Sequence, residues 1–181
     1  MQALSLFSVL LSHFEIEIEL VCENASPTRF CFLVALAFSS SFGQSIVFIV
    51  RHAEKIDDSK DAGLSEAGRA RAEALANMLK DSKISVIYTT EFKRTQQTAA
   101  PLAKALGLTV TILPAENQGA LVAKLRASTG NSLVVGHGNT IPDIIKALGI
   151  TEPVNISDSD YDNLFVIVLG EKPSLIRLHY R

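Results

Sequence analysis

Two apolar periodicities alternate along the chain from residue 45 onward. Ser45-Ile46-Val47-Phe48-Ile49-Val50 is a continuous β-branched and aromatic run, which predicts a strand buried on both faces. At Ser65 the pattern becomes helical: Ser65 can cap, Glu66 falls in the first turn, and Ala70, Ala74, Leu75, Met78 and Leu79 are expected on one face. Further strands are expected at Ile84–Tyr88, Leu108–Leu113 and Ser132–Val135, and a closing hairpin at Leu164–Leu169 and Leu175–His179 around Gly170–Ser174. Helices are expected over 93–106, with Ala99, Leu102, Ala103 and Leu106 inward and an interruption at Pro101, over 117–127, and over Ile141–Leu148, where Pro142 sits near the first turn. Strand–helix alternation of this kind predicts an α/β fold of three layers, α/β/α, around a mainly parallel sheet. In open sheets of that type ligands bind beyond the carboxyl ends of the strands.

Upstream the pattern differs. Residues 30–38, Phe-Cys-Phe-Leu-Val-Ala-Leu-Ala-Phe, form a short apolar run between Arg29 and Ser39-Ser40-Ser41-Phe42-Gly43. A basic residue, a short apolar stretch and small residues at a cleavage point describe a secretory signal, and cleavage after Gly43 would put Ser41 and Gly43 at the inspected positions. A spanning helix needs about 20 apolar residues, so no permanent membrane anchor is expected. Residues 1–28, with Glu15, Glu17 and Glu19 alternating with Ile16, Ile18 and Leu20, are unlike a basic n-region. The expected organisation is a signal-like segment at 1–43 with an over-extended start, followed by one domain at 44–181. The alternative is a strand or helix within 1–28 packed on that domain.

Composition narrows the class. The 181 residues suit one domain with a substantial core. At 48% hydrophobic, 20% charged and a formal net charge of -2 the chain is neither a disordered tail nor a basic binder of nucleic acid. Cys22 and Cys31 both precede residue 44, and no CxxC or Cys/His zinc spacing occurs, which excludes a disulfide scaffold and a zinc module. A domain free of cysteine, with 16 Lys+Arg against 15 Asp+Glu over 44–181, suits a periplasmic or secreted address.

Chemistry gathers at the predicted strand ends. Arg51-His52 follows the first strand, Thr89-Thr90-Glu91-Phe92-Lys93-Arg94-Thr95 follows the second, and Gly136-His137-Gly138-Asn139-Thr140 follows the fourth. Three strand ends thus deliver Arg51, His52, Arg94 and His137 to one edge of the sheet. Burying these groups together without an anion would strand their charges. Phosphate fits best, because guanidinium groups grip its oxygens with paired charge-assisted hydrogen bonds. Imidazole has an ordinary pKa near 6.5, and neighbouring arginines push it toward the neutral, nucleophilic form. Two histidines allow one to attack phosphorus while the other, protonated, donates to a non-bridging oxygen. Gly136 and Gly138 are expected to let the backbone approach a ligand beside His137.

At these residues the chain resembles the histidine phosphatase superfamily, the phosphoglycerate mutase-like enzymes, and its small phosphatase branch in particular. The resemblance covers roughly residues 45–170. Its carriers are Val50-Arg51-His52-Ala53-Glu54-Lys55, Leu64-Ser65-Glu66-Ala67-Gly68 with Arg71-Ala72, Tyr88-Thr89-Thr90 with Arg94-Thr95-Gln96-Gln97-Thr98-Ala99, and Val134-Val135-Gly136-His137-Gly138-Asn139-Thr140. It implies a phosphatase that hydrolyses a small phosphomonoester through a phosphohistidine on His52, with Arg51, Arg94 and His137 completing the phosphate pocket and no metal or other cofactor. The alternatives are a catalytically idle phosphate-binding module of the same fold and mutase-type phosphotransfer, the latter disfavoured by the short stretch between the second arginine block and the third strand. Ala53 replaces the usual glycine. For the general acid the candidates are Glu116, after the third strand, Glu54 and Asp57.

Other features read as ordinary surface or packing. Asp158-Ser159-Asp160-Tyr161-Asp162 begins like a calcium loop, but Asn163 stands where glycine is required and Leu169 where the bidentate glutamate belongs. It is expected to be a plain loop. Phe92 can line a pocket or pack, Lys55 and Lys60 can reach an acidic substrate or be solvated, and Asn139 and Thr140 can cap the fourth helix.

Overall fold

The computed structural model describes residues 44–180. The expectations placed on 1–43 (signal segment, cleavage point, Cys22 and Cys31) lie outside the described residues. In chain order the elements are β1 (Ile46–Arg51), α1 (Glu66–Leu79), β2 (Ile84–Thr89), α2 (Lys93–Leu106), β3 (Val110–Ile112), α3 (Gln118–Ala127), β4 (Asn131–Gly136), α4 (Ile141–Ala147), β5 (Asn163–Val168) and β6 (Ser174–His179).

They form one six-stranded sheet of order β3-β2-β4-β1-β5-β6. β3, β2, β4 and β1 run parallel, while β5 and β6 are antiparallel to their neighbours. The α/β three-layer expectation holds, with a hairpin closing one side of a mostly parallel sheet. Alternation along β1 accounts for its unbroken apolar run. Phe48 and Val50 face a core built with Leu75, Leu79, Ala99 and Leu102 of α1 and α2, and Val47 and Ile49 face one built with Leu121, Leu125, Ile141 and Ile145 of α3 and α4. Both faces of β1 are therefore covered by helices, which is why no polar residue interrupts it.

Three sequence expectations need correcting. The inward face of α1 is Gly68, Ala72, Leu75, Ala76 and Leu79, whereas Ala70 and Met78 are exposed; the close approach of Gly68 to the strand-end loop sets the helix phase. Pro101 does not interrupt α2, because the buried contacts of Thr98, Ala99, Leu102 and Ala103 hold both sides of the one missing hydrogen bond. β3 is three residues long rather than six, since at the sheet edge only Ile87, Tyr88 and Thr89 of β2 pair with it.

The entry of α1 is fixed by the segment that follows β1. Ser65 Oγ caps the helix by accepting from Gly68 N at 3.1 Å, and Ser65 N donates to the Glu54 carbonyl at 2.9 Å. A Cβ on Gly68 would overlap the Glu54 carbonyl oxygen and lie 3.1 Å from Glu54 N, both rigid backbone. Gly68→Ala is therefore expected to destabilise the protein by about 1–3 kcal/mol, as overpacking does. Ser65→Ala removes only the cap, worth about 1 kcal/mol. Thermal or urea unfolding of the two variants checks this order, and a Gly68→Ala protein as stable as wild type would show that the close approach is not a constraint.

Candidate active site

The register of β1 on β4 builds the centre. Arg51 pairs with Gly136 across two parallel strands, so the next residues, His52 and His137, leave the sheet side by side. His52 N donates to the Gly136 carbonyl at 2.9 Å, and the two imidazole centroids are 5.4 Å apart. β2 flanks β4 on its other side with Thr89 beside Val135, which brings Thr90 up to His137. Arg94 arrives from the first turn of α2. The four residues gathered from three strand ends in the sequence are thus brought together. Arg51, His52 and His137 are buried, and Arg94 is half-buried.

Each guanidinium is held by backbone carbonyls of a loop. Arg51 Nη1 donates to the Ser157 and Asp158 carbonyls at 2.8 and 3.0 Å, and its Cζ lies 4.4 Å from the Tyr161 ring centre. Arg94 Nη1 donates to the Lys60 carbonyl at 2.9 Å and stacks on Phe92, also at 4.4 Å. Neutral acceptors and aromatic faces thereby orient both cations without cancelling their charge. Asp158 lies 4.0 Å from Arg51 with its side chain fully exposed, so that pair is screened by water. Among the described residues, the buried Nε atoms of Arg51 and Arg94 have no partner.

Both imidazoles are held neutral. Burial lowers the pKa of His52 to about 4, against a raising hydrogen bond to the Ala53 carbonyl and with help from Arg94, His137 and Arg51. Burial and then Arg94 bring His137 to about 4 as well. His52 Nδ1 is 2.8 Å from the Ala53 carbonyl. A carbonyl only accepts, so Nδ1 carries the proton and Nε2 keeps its lone pair. Ala53, fully buried, is itself anchored by its N–H to Thr98 Oγ1 at 2.9 Å.

The carboxylates fall in different places. Both Glu54 oxygens accept from Arg71, at 2.6 to 2.9 Å. Burial would raise the Glu54 pKa, but the hydrogen bonds and charge of Arg71 outweigh it and hold it below the usual range. Arg71 also donates to the Tyr180 carbonyl at 3.3 Å, so Glu54 ties the strand-end loop to the end of the chain. Asp57 is exposed and accepts from Ser59 N. Glu116 is exposed in the loop between β3 and α3, beside Ala115, whose N–H donates to Glu91 Oε2 at 2.9 Å. Lys55 pairs with Asp58 at 2.9 Å, and Lys60 contributes its carbonyl to Arg94.

Side chains pack against the two glycines beside His137. A Cβ on Gly138 would meet the Arg51 guanidinium at 3.5 Å, an ordinary contact, and one on Gly136 would meet Ile141 at 3.4 Å. These positions leave room for a neighbouring side chain, Ile141 at Gly136 and Arg51 at Gly138. Thr140 stands at the start of α4, but its hydroxyl turns back to the His137 carbonyl at 3.3 Å. Residues 158–162 do form a plain loop.

The comparisons agree with this architecture. Residues 47–117 match the sequence pattern of the Histidine phosphatase superfamily (branch 1). Over that stretch the chain carries the sequence pattern of the histidine phosphatase superfamily. The PE-PGRS family protein PE_PGRS11 of Mycobacterium tuberculosis is 40% identical over 86 residues, 42% of this chain, and the chain spans only 15% of that relative's length. Among solved structures, the protein histidine phosphatase SixA complexed with tungstate superposes with a TM-score of 0.60 at 23% identity, covering 74% of this chain and 96% of the other. A mycobacterial glucosyl-3-phosphoglycerate phosphatase with inorganic phosphate gives a TM-score of 0.60 at 20% identity, covering 73% and 95%. At these identities the structures establish the histidine phosphatase fold.

Sequence reasoning missed Thr90, Thr95, Thr98, Arg71 and Tyr161. The threonines lie inside or beside the arginine block and carry no charge to mark them, and the partners of Arg71 and Tyr161 are distant in sequence. The two buried neutral histidines have a consequence for stability. Unfolded, each binds a proton below about pH 6.5, whereas folded each does so only near pH 4. Their contribution is therefore complete above about pH 6.5 and is lost as the pH falls through that window toward 4. Melting temperature should drop between pH 7 and 4.5, and a His52→Asn, His137→Asn double variant should show a shallower drop over the same interval.

Proposed function

We propose that the protein is a phosphatase that hydrolyses a small phosphomonoester through a phosphohistidine on His52. The observation that carries the reading is the fixed His52 ring, with Nδ1 bound to the Ala53 carbonyl and the Nε2 lone pair left free beside Arg51, Arg94 and His137. The charges of Arg51 and Arg94, which act on both imidazoles, support an anion there. So do the phosphatase neighbours with tungstate or phosphate.

In the proposed reaction His52 Nε2 forms a bond to phosphorus as the bond to the leaving oxygen breaks, and a carboxylic acid supplies the proton which that oxygen takes. Water then attacks phosphorus, the carboxylate takes a proton from it, the N–P bond breaks, and orthophosphate leaves with His52 neutral again. Arg51, Arg94 and protonated His137 stabilise the equatorial oxygens. We assign the acid to Glu116, because Glu54 is committed to Arg71 and Glu116 follows β3 on the strand-end side of the sheet. The three cationic groups take the place a metal would fill, so turnover is expected to survive EDTA. Export with cleavage near Gly43 completes the proposal, and the mass of the protein recovered from its host tests that part.

His52→Ala should abolish both turnover of phenyl phosphate and acid-labile labelling. His137→Ala and Arg94→Ala should each retain slow turnover, about 10²–10³-fold reduced, as loss of one oxyanion donor typically gives, with label still trapped on His52. Label on His137 would refute the assignment of the nucleophile, and phosphate binding by the wild-type protein without turnover would favour the idle binding module. Glu116→Gln should slow an alkyl phosphate by about 10²–10⁴-fold and an aryl phosphate with an acidic leaving group far less; equal effects on both would remove Glu116 from the acid role.

A further inference from the structure

Behind His137 a short chain of buried hydroxyls runs into the protein. Thr90 Oγ1 lies 3.0 Å from His137 Nε2 and 3.0 Å from Thr95 Oγ1, and the Thr95 hydroxyl donates to the Phe92 carbonyl at 2.8 Å. Thr95 is fully enclosed, and its oxygen also accepts from Thr90 N at 3.2 Å. The direction of every proton in this chain follows from its last member. A carbonyl only accepts, so the Thr95 hydrogen is committed to Phe92, or to the alternative Thr90 carbonyl at 3.2 Å. Thr95 Oγ1 therefore accepts from the Thr90 hydroxyl, and Thr90 Oγ1 has only lone pairs to offer His137. The facing ring nitrogen must carry a proton. The other side of the ring agrees, because the guanidinium of Arg94, which can only donate, approaches Nδ1 at 3.5 Å.

We infer that Thr90, backed by Thr95, is a positioning residue that holds His137 with its proton on Nε2 and its Nδ1 lone pair toward Arg94. The two histidines of the site are then opposite tautomers, for His52 carries its proton on Nδ1. The inference deepens the phosphatase reading and rests on it for its consequence. His137 can donate to a phosphoryl oxygen only after Nδ1 gains a proton, so it meets the anion as an imidazolium with one N–H on Thr90 and the other on the anion. The charged groups acting on it are Arg94, Arg51 and, with opposite sign, Glu91.

NMR of the 15N-labelled full chain, without added anion at neutral pH, locates the ring proton. The expected result is a proton on Nε2 of His137 and on Nδ1 of His52 in the wild type, loss of the fixed His137 tautomer in Thr90→Val, and its recovery in Thr90→Ser. A hydrogen bond from a charged group is worth about 1.5–3 kcal/mol, so Thr90→Val should also weaken inorganic phosphate binding by about 10- to 100-fold, with Thr90→Ser near wild type. A wild-type His137 protonated on Nδ1 would overturn the inference whatever the variants do, as would a Thr90→Val protein with unchanged tautomer and phosphate affinity. If Thr90→Val fails to fold, the wild-type spectrum decides alone. Failure of the wild type to bind phosphate would instead sink the phosphatase reading, leaving the tautomer result to stand or fall by itself.

Discussion

The parallel pairing of β1 with β4, in the register that sets Arg51 beside Gly136, is the constraint on which the site depends. Two adjacent parallel strands end at the same level, so the residue after each emerges on the same edge, and here both are histidines. Slipping that pairing by one residue would exchange the faces of β1, driving Phe48 and Val50 toward α3 and α4 and Val47 and Ile49 toward α1 and α2. Because both faces of β1 are packed against helices, the hydrophobic core itself fixes where His52 stands relative to His137. Core packing and active-site geometry are one problem in this fold.

Concentrating cationic side chains at a buried edge is costly unless the charge is met. The structure meets it without spending it. Arg51 and Arg94 each donate to loop carbonyls and lie on an aromatic ring, partners that satisfy N–H groups but carry no negative charge. Glu54, the carboxylate nearest in sequence, is drawn away by Arg71. The two histidines respond by remaining neutral. What is left is a cationic sheet edge on which the buried Nε atoms of both arginines have no partner among the described residues.

Arg51, His52, Arg94 and His137 were legible because each ends a buried apolar run or follows one within a few residues, so periodicity alone placed them on one edge. The phase of α1 was not legible: Met78 reads as a core residue by spacing, yet it is 43% exposed, because backbone proximity at Gly68 rotates the helix. Nor was Tyr161, which reaches Arg51 from a loop 110 residues downstream inside a stretch whose carboxylates suggested calcium. Glu54 looked catalytic from its two-residue distance to His52. The tertiary approach of α1 brings Arg71 across it, a pairing that the sequence spacing does not show. Local pattern thus located what strands deliver, while contacts between loops and helix termini stayed hidden.

A symmetrical pair of histidines could not divide attack from stabilisation, since a neutral imidazole offers either nitrogen in either role. The asymmetry here lies in what occupies the second nitrogen. His52 bonds the carbonyl of the next residue, an acceptor available wherever the chain turns so, and its outer nitrogen is left with a lone pair. His137 bonds a hydroxyl whose own hydrogen is already directed inward to Thr95, and Arg94 approaches its Nδ1 at 3.5 Å. A lone pair beside a guanidinium is a poor place for a resting proton and a good place for one that arrives with an anion. Two short hydrogen-bonded contacts, both set by where β1, β2 and β4 end, are therefore sufficient to make chemically different groups of two identical side chains.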